Sequence, residues 1–216
     1  MRVSSMSITL NYDALRETPV ATDPFPHVAV PHFVGEADLT RLIAAMPPMK
    51  SGGSYPPEGL RLSPDVAGLV KELQGPKLKS LIGAKFGLDL GDAPTMLTLR
   101  GRTREKDGRI HCDSEAKLVT TLLYLNPESA SWSKQDGCLR LLRGPDDIED
   151  YAVEVPPSKG TLLVFPNGPT TWHGHKQYVG PRYAIQLNYM ATSAKARYEL
   201  RRHRLSALLK RLPLAS

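Results

Sequence analysis

The hydrophobic pattern divides the chain into a helical first part and a β-rich second part. Three segments of the first part place apolar residues at the helical spacing of three to four. Each is bounded by a helix start or stop signal, such as the Pro47-Pro48 pair after the first segment and Gly87 after the last. The pattern therefore predicts helices over residues 35–45, 63–74 and 76–86.

Residues 25–34 (FPHVAVPHFV) precede these helices and have a different texture. They mix apolar and β-branched residues with two prolines, and proline in a strand is confined to sheet edges. This segment predicts an edge strand, so residues 25–87 form an N-terminal strand-and-helix region.

Short β-type runs begin near residue 94 and are separated by turn-forming residues such as Asn126-Pro127. They cover residues 95–100, 117–125, 138–142, 151–155, 160–165, 171–176 and 183–189. Many short strands at nearly even spacing are typical of a sandwich or jelly roll. Residues 192–212 then return to a helical pattern, so the expected fold class is mainly β with flanking helices (α+β).

Length and composition indicate one ordinary globular domain spanning residues 1–216. The chain has 41% hydrophobic and 23% charged residues, and no run of 18 apolar residues that would span a membrane. Its first residues lack the apolar core of a secretory signal, and its two cysteines form no disulfide framework. We therefore expect a cytoplasmic protein, at most peripheral to a membrane.

The net charge of +6 is concentrated in the C-terminal segment. Its apolar residues fall near one helical face: Tyr198, Leu205, Leu208, Leu209 and Leu212. A basic amphipathic helix can contact an anionic surface or a partner. Alternatively, the segment is a structural helix that packs on the body of the protein with its charged face in water. No aromatic residues alternate with the basic ones, so there is no clear nucleic-acid signature, and the pattern leaves the oligomeric state open.

The strongest chemical signal is the triplet His111-Cys112-Asp113 with a distant histidine. On an extended segment His111 and Asp113 point to the same face. Two histidines and one carboxylate form the facial triad that holds non-haem Fe(II) with open coordination positions. From spacing alone, His173 and His175 are both candidates for the third ligand.

Arg182 follows those two histidines at the start of an apolar run. An inward-pointing guanidinium needs a carboxylate partner, and arginine matches carboxylate geometry in a bidentate way. Together with the triad it indicates Fe(II), dioxygen and an acidic co-substrate.

Several separated motifs share the order of a known family. They are H-C-D at 111–113, T-x-L-L-Y-L-N at 120–126, G-C-L-R-L at 137–141, G-T-L-L-V-F at 160–165, W-H at 172–173 and G-P-R-Y-A-I-Q-L-N-Y at 180–189. The segment from Thr95 to Met190 thus resembles the prolyl-4-hydroxylase-like branch of the Fe(II)/2-oxoglutarate-dependent dioxygenases. The resemblance implies a double-stranded β-helix (jelly roll) over about 94–190, with the N-terminal helices packed on one sheet and a C-terminal basic helix over about 192–212.

The resemblance also implies roles for individual residues. The family places its co-substrate arginine nine residues after the distal histidine, which selects His173, with His111 and Asp113, as the metal and catalytic set. Arg182 and Tyr124 would bind 2-oxoglutarate. The implied cofactors are Fe(II), 2-oxoglutarate and O2, with ascorbate as a candidate reductant. The implied reaction hydroxylates an unactivated C–H bond and releases succinate and CO2.

The substrate side is predicted less directly. Strand alternation places Gln186 and Asn188 on the face of Arg182, and Arg100, His175 and Trp132 complete the expected pocket. Residues 51–59 and 128–137 are candidate lids. Asn188 stands where the nucleic-acid-demethylating branch carries a second arginine, which argues against an alkylated base.

Three kinds of function remain open at this stage. The leading expectation is hydroxylation of a small metabolite or biosynthetic intermediate. The alternative substrates are a protein residue or a saccharide or lipid-linked intermediate. The alternative of another class is a non-catalytic jelly-roll module that binds or senses a ligand.

Overall fold

The computed structural model describes residues 8–129, 132 and 134–211. Its α-helices are α1 (Tyr12–Glu17), α2 (Glu36–Ala45), α3 (Pro64–Leu73), α4 (Pro76–Phe86) and α5 (Ala194–Arg211), with a short 3-10 turn at Pro57–Gly59. The predicted helices α2 to α4 lie within one residue of their expected bounds. Helix α1 was not predicted. It has only six residues, and its main signal is the Asn11 side chain, which accepts a hydrogen bond from the Ala14 N–H.

In the described part of the chain, eight strands occur at the positions predicted along the sequence. They are β1 (Val28–Val30), β2 (Thr95–Thr103), β3 (Lys117–Tyr124), β4 (Leu139–Leu142), β5 (Tyr151–Val155), β6 (Leu162–Pro166), β7 (His173–His175) and β8 (Gly180–Met190). Strands β2 and β8 extend beyond their apolar runs because they pair with each other over almost their full lengths. Residues 25–34 contribute only the three residues of β1.

The strands form two antiparallel sheets. One has five strands in the order β1-β6-β3-β8-β2, and the other has three in the order β5-β4-β7. Strand β1 lies at an edge, as its prolines predicted. The chain is therefore a mixed α+β protein with mostly antiparallel sheets.

Two apolar cores lie on opposite faces of the five-stranded sheet. Helix residues such as Leu42 and Leu69 pack with Ile185 and Leu187 on one face. On the other face, a smaller core joins residues of both sheets: Leu122, Tyr124, Leu139, Leu141, Val155, Leu163, Phe165 and Ala184, with Phe25. The N-terminal helices thus cover one face, and the cleft between the sheets opens on the other.

Helix α5 follows β8 and starts close to the H-C-D segment. Ala196 is buried against Ala116 and Met190, and the Ser114 hydroxyl donates to Glu199 Oε1 at 2.6 Å. Tyr198 and Leu205 are exposed, so these two members of the predicted apolar face do not pack on the body. The predicted positions 208 and 209, like residue 212, fall outside the side chains that the structure describes.

None of the described helices is long and apolar enough to cross a lipid bilayer.

Candidate metal and co-substrate site

His111, Asp113 and His173 meet in space although the last is sixty residues from the first two. The backbones of His111 and His173 form an isolated antiparallel bridge, with both N–H···O distances at 3.0 Å. This bridge joins the segment after β2 to the start of β7. Asp113 lies two residues after His111 on the first of these segments. Potential ligand atoms of the three side chains all lie within 4.8 Å of one another.

Both histidines of this triad hold the tautomer that a metal requires. The Nδ1–H of His111 donates to the Arg109 carbonyl at 2.9 Å, and that of His173 donates to the Thr171 carbonyl at 2.9 Å. Since a carbonyl can only accept, each Nδ1 carries a proton, and Nε2 is the ring nitrogen left for a metal. Such outer hydrogen bonds orient metal-binding imidazoles.

The protonation states of His173 and Asp113 also suit a cation. Burial, followed by the nearby His111, lowers the pKa of His173 to about 4, so this ring is neutral at pH 7. Burial alone would raise the pKa of Asp113, but Lys117, His173 and a Thr120 hydrogen bond outweigh it and lower the pKa to about 2. His173 is therefore a neutral imidazole and Asp113 a carboxylate, so neither has to lose a proton before it binds a cation.

Two neighbours hold the Asp113 carboxylate. Lys117 Nζ lies 2.6 Å from Oδ1, and the Thr120 hydroxyl donates to Oδ2 at 2.6 Å. Asn167 Nδ2 in turn donates to Thr120 Oγ1 at 2.9 Å. Sequence reasoning did not identify Lys117 or Asn167. Lys117 is four residues after Asp113, but this spacing matters only because β3 begins beside the triad.

Arg182 is almost fully buried at the other end of the cleft. Its Nε–H donates to the Gly137 carbonyl at 2.9 Å, and its guanidinium lies 5.2 Å from the Tyr124 ring centroid. Arg182 Nη2 and Tyr124 Oη are both buried without a hydrogen-bond partner. Buried polar atoms are normally paired, so these two together mark a place for an acceptor ligand.

His175 takes a different position from His173. Its Nδ1–H donates to the Lys176 carbonyl at 2.7 Å, and its ring lies against Gly108, where any Cβ would meet it at 2.4 Å. Burial and the charge of Arg182 lower its pKa to about 4. His175 is thus a neutral pocket residue near Arg182, outside the cluster of potential metal ligands.

One cavity of about 300 Å³ connects these groups. Its lining includes the triad, Tyr124, Arg182, His175, Arg100 and Gln186. Asn188 lines an adjoining cavity instead, where it accepts a 3.2 Å hydrogen bond from Gln186. Of the predicted pocket residues, Arg100, Gln186 and His175 therefore surround the main cavity, and Asn188 lies one step away.

Trp132 differs from the expectation. Its indole N–H donates to the Pro127 carbonyl at 3.0 Å, and its ring packs on Tyr178 with centroids 5.0 Å apart. It is buried and is not part of the cavity wall. The ring satisfies its polar atom within its own loop, so it supports that loop instead of facing a substrate.

The two candidate lids differ in what they show. Gly53, from residues 51–59, lines the main cavity, and Tyr55 is joined to Leu99 of β2 by a backbone bridge. Residues 128–137 include positions outside the described part of the chain, so the second lid stays a prediction.

Comparison with protein families gives a match over residues 101–190, to the model described as the 2OG-Fe(II) oxygenase superfamily. The matched range contains the triad, Tyr124 and Arg182. It confirms the resemblance seen in the motifs and supports a dioxygenase enzyme whose cofactors are Fe(II) and 2-oxoglutarate. No curated protein sequence matches the chain significantly.

Solved structures with a similar fold include three prolyl hydroxylases. A Pseudomonas putida prolyl-4-hydroxylase has 18% identity and a TM-score of 0.55, covering 88% of this chain and 98% of that one. A prolyl 4-hydroxylase from Phytophthora capsici has 14% identity and a TM-score of 0.55, with 94% and 78% covered. A viral collagen prolyl hydroxylase from Paramecium bursaria Chlorella virus-1, in a 2OG complex, has 14% identity and a TM-score of 0.50, with 80% and 99% covered. At these identities the likeness concerns the fold.

Proposed function

We propose that the chain is a single-domain Fe(II)- and 2-oxoglutarate-dependent hydroxylase that acts on an unactivated C–H bond of a small metabolite or biosynthetic intermediate. Succinate and CO2 are the expected by-products. The observation that carries this proposal is one cavity with a His-Asp-His cluster at one place and the unpaired Arg182 Nη2 and Tyr124 Oη at another.

The donor set fits ferrous iron. His111, Asp113 and His173 present two imidazole nitrogens and one carboxylate, the combination found in non-haem Fe(II) oxygenases. When bound, the metal and 2-oxoglutarate supply the oxidising chemistry with O2, and the protein supplies binding and orientation. Lys117 and Thr120 hold the Asp113 carboxylate in place for this role.

Arg182 and Tyr124 fit the remote carboxylate of 2-oxoglutarate. Arg182 would give a charge-assisted hydrogen bond from Nη2, and Tyr124 would donate from its hydroxyl. Burial raises the pKa of Tyr124, so its hydroxyl remains a proton donor at neutral pH. Because Arg182 Nε is already fixed to the Gly137 carbonyl, the guanidinium is oriented before the co-substrate arrives.

The two sheets give this chemistry a sheltered place. We infer that they form the double-stranded β-helix expected from the motifs, with the cavity between them. Leu122, Leu139 and Ala184 line the cavity wall, and these apolar side chains limit water near the reacting groups.

A small substrate agrees with a cavity of about 300 Å³, which is at the lower end of ordinary ligand pockets. A second candidate is hydroxylation of a protein residue, favoured by the prolyl hydroxylases among the structures of similar fold. A saccharide or lipid-linked intermediate is the remaining variant of the hydroxylase proposal.

The proposal is tested at its anchor, Arg182. Under anaerobic conditions, we expect Fe(II) and 2-oxoglutarate to produce a charge-transfer absorbance that can be titrated. Arg182→Ala removes the charged partner of a buried carboxylate, which costs about 2–5 kcal/mol, or roughly 30- to 5,000-fold in 2-oxoglutarate affinity. Tyr124→Phe removes one hydrogen bond, about 1 kcal/mol or roughly fivefold. Arg16→Ala, at an exposed position of helix α1, is the control.

Equal 2-oxoglutarate affinity in wild type and Arg182→Ala would show that Arg182 does not bind the co-substrate carboxylate.

A non-catalytic binding module is distinguished from an enzyme by turnover. With Fe(II), ascorbate and 2-oxoglutarate, the enzyme should release succinate slowly even without substrate, and His111→Ala should abolish this release. Tight zinc binding with no succinate under any condition would support the module instead.

A further inference from the structure

Positively charged side chains outnumber acidic ones around the main cavity. Its lining contains five cationic residues: Arg100, Arg102, Lys106, Arg109 and Arg182. Among the described residues of the same lining, the carboxylates are Asp107 and Asp113. The cavity therefore has an electrostatic field that favours anions.

Both carboxylates are already engaged, which leaves the excess uncompensated. Asp107 receives hydrogen bonds from the Arg104 side chain at 2.9 and 3.1 Å and from its backbone N–H at 2.8 Å. Asp113 is paired with Lys117 and is a proposed metal ligand. Among the residues that the structure describes, no ion pair or side-chain hydrogen bond involves four of the cations: Arg100, Arg102, Lys106 and Arg109.

Arg100 and Arg102 both lie on strand β2. Arg100 is directly opposite Ala184 of β8, two residues from Arg182. It lines both the main cavity and the adjoining cavity of about 360 Å³. Burial among protein atoms, followed by repulsion from Arg182, lowers the pKa of Arg100. The residue nevertheless remains exposed where it lines the two cavities. A guanidinium so placed is stabilised by an anion between the two cavities.

This anion is distinct from the co-substrate if Arg182 binds 2-oxoglutarate. We propose that the substrate itself carries an anionic group, a carboxylate or a phosphate, and that Arg100 binds this group. Arg102, Lys106 and Arg109, exposed at the cavity rim, attract it from solution. The inference rests on the proposed function and adds to it the chemical class of the substrate and a residue that selects it.

The test measures anion binding directly, without turnover. The protein is loaded with Mn(II), saturated with 2-oxoglutarate, and titrated separately with phenyl phosphate, benzoate and neutral benzyl alcohol. Paramagnetic broadening of the probe signals in NMR reports binding close to the metal. We expect broadening by at least one of the anions and none of benzyl alcohol, and the preferred anion distinguishes phosphate from carboxylate.

Arg100→Gln should reduce the affinity for the preferred anion about 10- to 150-fold, which corresponds to the loss of one hydrogen bond to a charged group. Arg100→Lys should recover part of this affinity, since lysine keeps the positive charge but lacks the two parallel N–H donors of a guanidinium. Arg16→Gln changes the net charge equally at a distant exposed position and should bind like wild type. Circular dichroism of each variant checks its folding.

Several results would overturn the proposal. Equal broadening by benzyl alcohol, no broadening by either anion, or full affinity in Arg100→Gln would each do so while the wild type still binds Mn(II) and 2-oxoglutarate. Matching losses of anion and 2-oxoglutarate affinity in Arg100→Gln would make Arg100 part of the co-substrate anchor, which also overturns it. Failure of the wild type to bind Mn(II) or 2-oxoglutarate would instead reject the proposed function, and this inference with it.

Discussion

Strand β8 has an apolar face and a polar face. Ile185 and Leu187 point to the helices and are buried in the larger apolar core. Arg182, Gln186 and Asn188 point to the other face and are equally buried, but polar. Because alternate residues of a strand face opposite sides, stability and ligand binding can be altered separately by neighbouring residues.

Unpaired polar atoms show how the faces differ. Tyr189 Oη, on the helix side, has no hydrogen-bond partner, and burial raises the pKa of this hydroxyl. A single such atom therefore does not mark a site. On the cavity side, Arg182 and Tyr124 both have unpaired atoms, lie together and line the same cavity. A concentration of unpaired donors beside open space is what distinguishes a binding face from a core.

The sharpest test of the cavity face compares its two histidines. His173→Asn should lose one of three metal ligands and reduce both Mn(II) affinity and succinate release by more than about a hundredfold, since even outer-shell changes cost about 10- to 100-fold. His175→Asn should retain metal binding because His175 lies outside the cluster. Calorimetric titration with Mn(II) makes the comparison. Equal metal affinity in the two variants would show that His173 is not the third metal ligand.

The helix face should respond in stability instead of ligand binding. Leu187 is 1% exposed, and Leu187→Ala leaves a cavity that should reduce the free energy of unfolding by about 2–5 kcal/mol. Urea denaturation measures this loss, and 2-oxoglutarate affinity of the folded variant should remain that of wild type. A large loss of affinity with little loss of stability would show that the two faces are not separable.

A smaller effect should appear in the pH dependence of the metal-free protein. The pKa of His175 is lowered to about 4, below its ordinary value of about 6.5. Protons therefore bind the unfolded state more readily, and the contribution of His175 to stability, up to about 3 kcal/mol, is lost as pH falls from about 6.5 to 4. Urea unfolding across this range should show a shallower decline in His175→Asn. Parallel curves for variant and wild type would contradict the burial of this ring.

The sequence predicted the positions of the strands along the chain and the two-residue spacings, because both follow from local rules. His111 and Asp113 share a face whatever the rest of the chain does, and the alternation of β8 places Gln186 and Asn188 beside Arg182. Trp132 was expected at the pocket because it is a large side chain in a loop near the site. Its indole is satisfied within that loop by the Pro127 carbonyl, which composition and pattern do not reveal.

Local pattern accounts for the strands, for helices α2 to α4, for the faces of each strand and for the residue types available for metal and carboxylate binding. Which of these residues meet became known from the folded structure. The backbone bridge between His111 and His173, the ion pair of Lys117 with Asp113 and the position of Arg100 opposite Ala184 all depend on pairing between distant segments. Spacing along a chain fixes the direction of a side chain, whereas distance between segments depends on the packing of the whole fold.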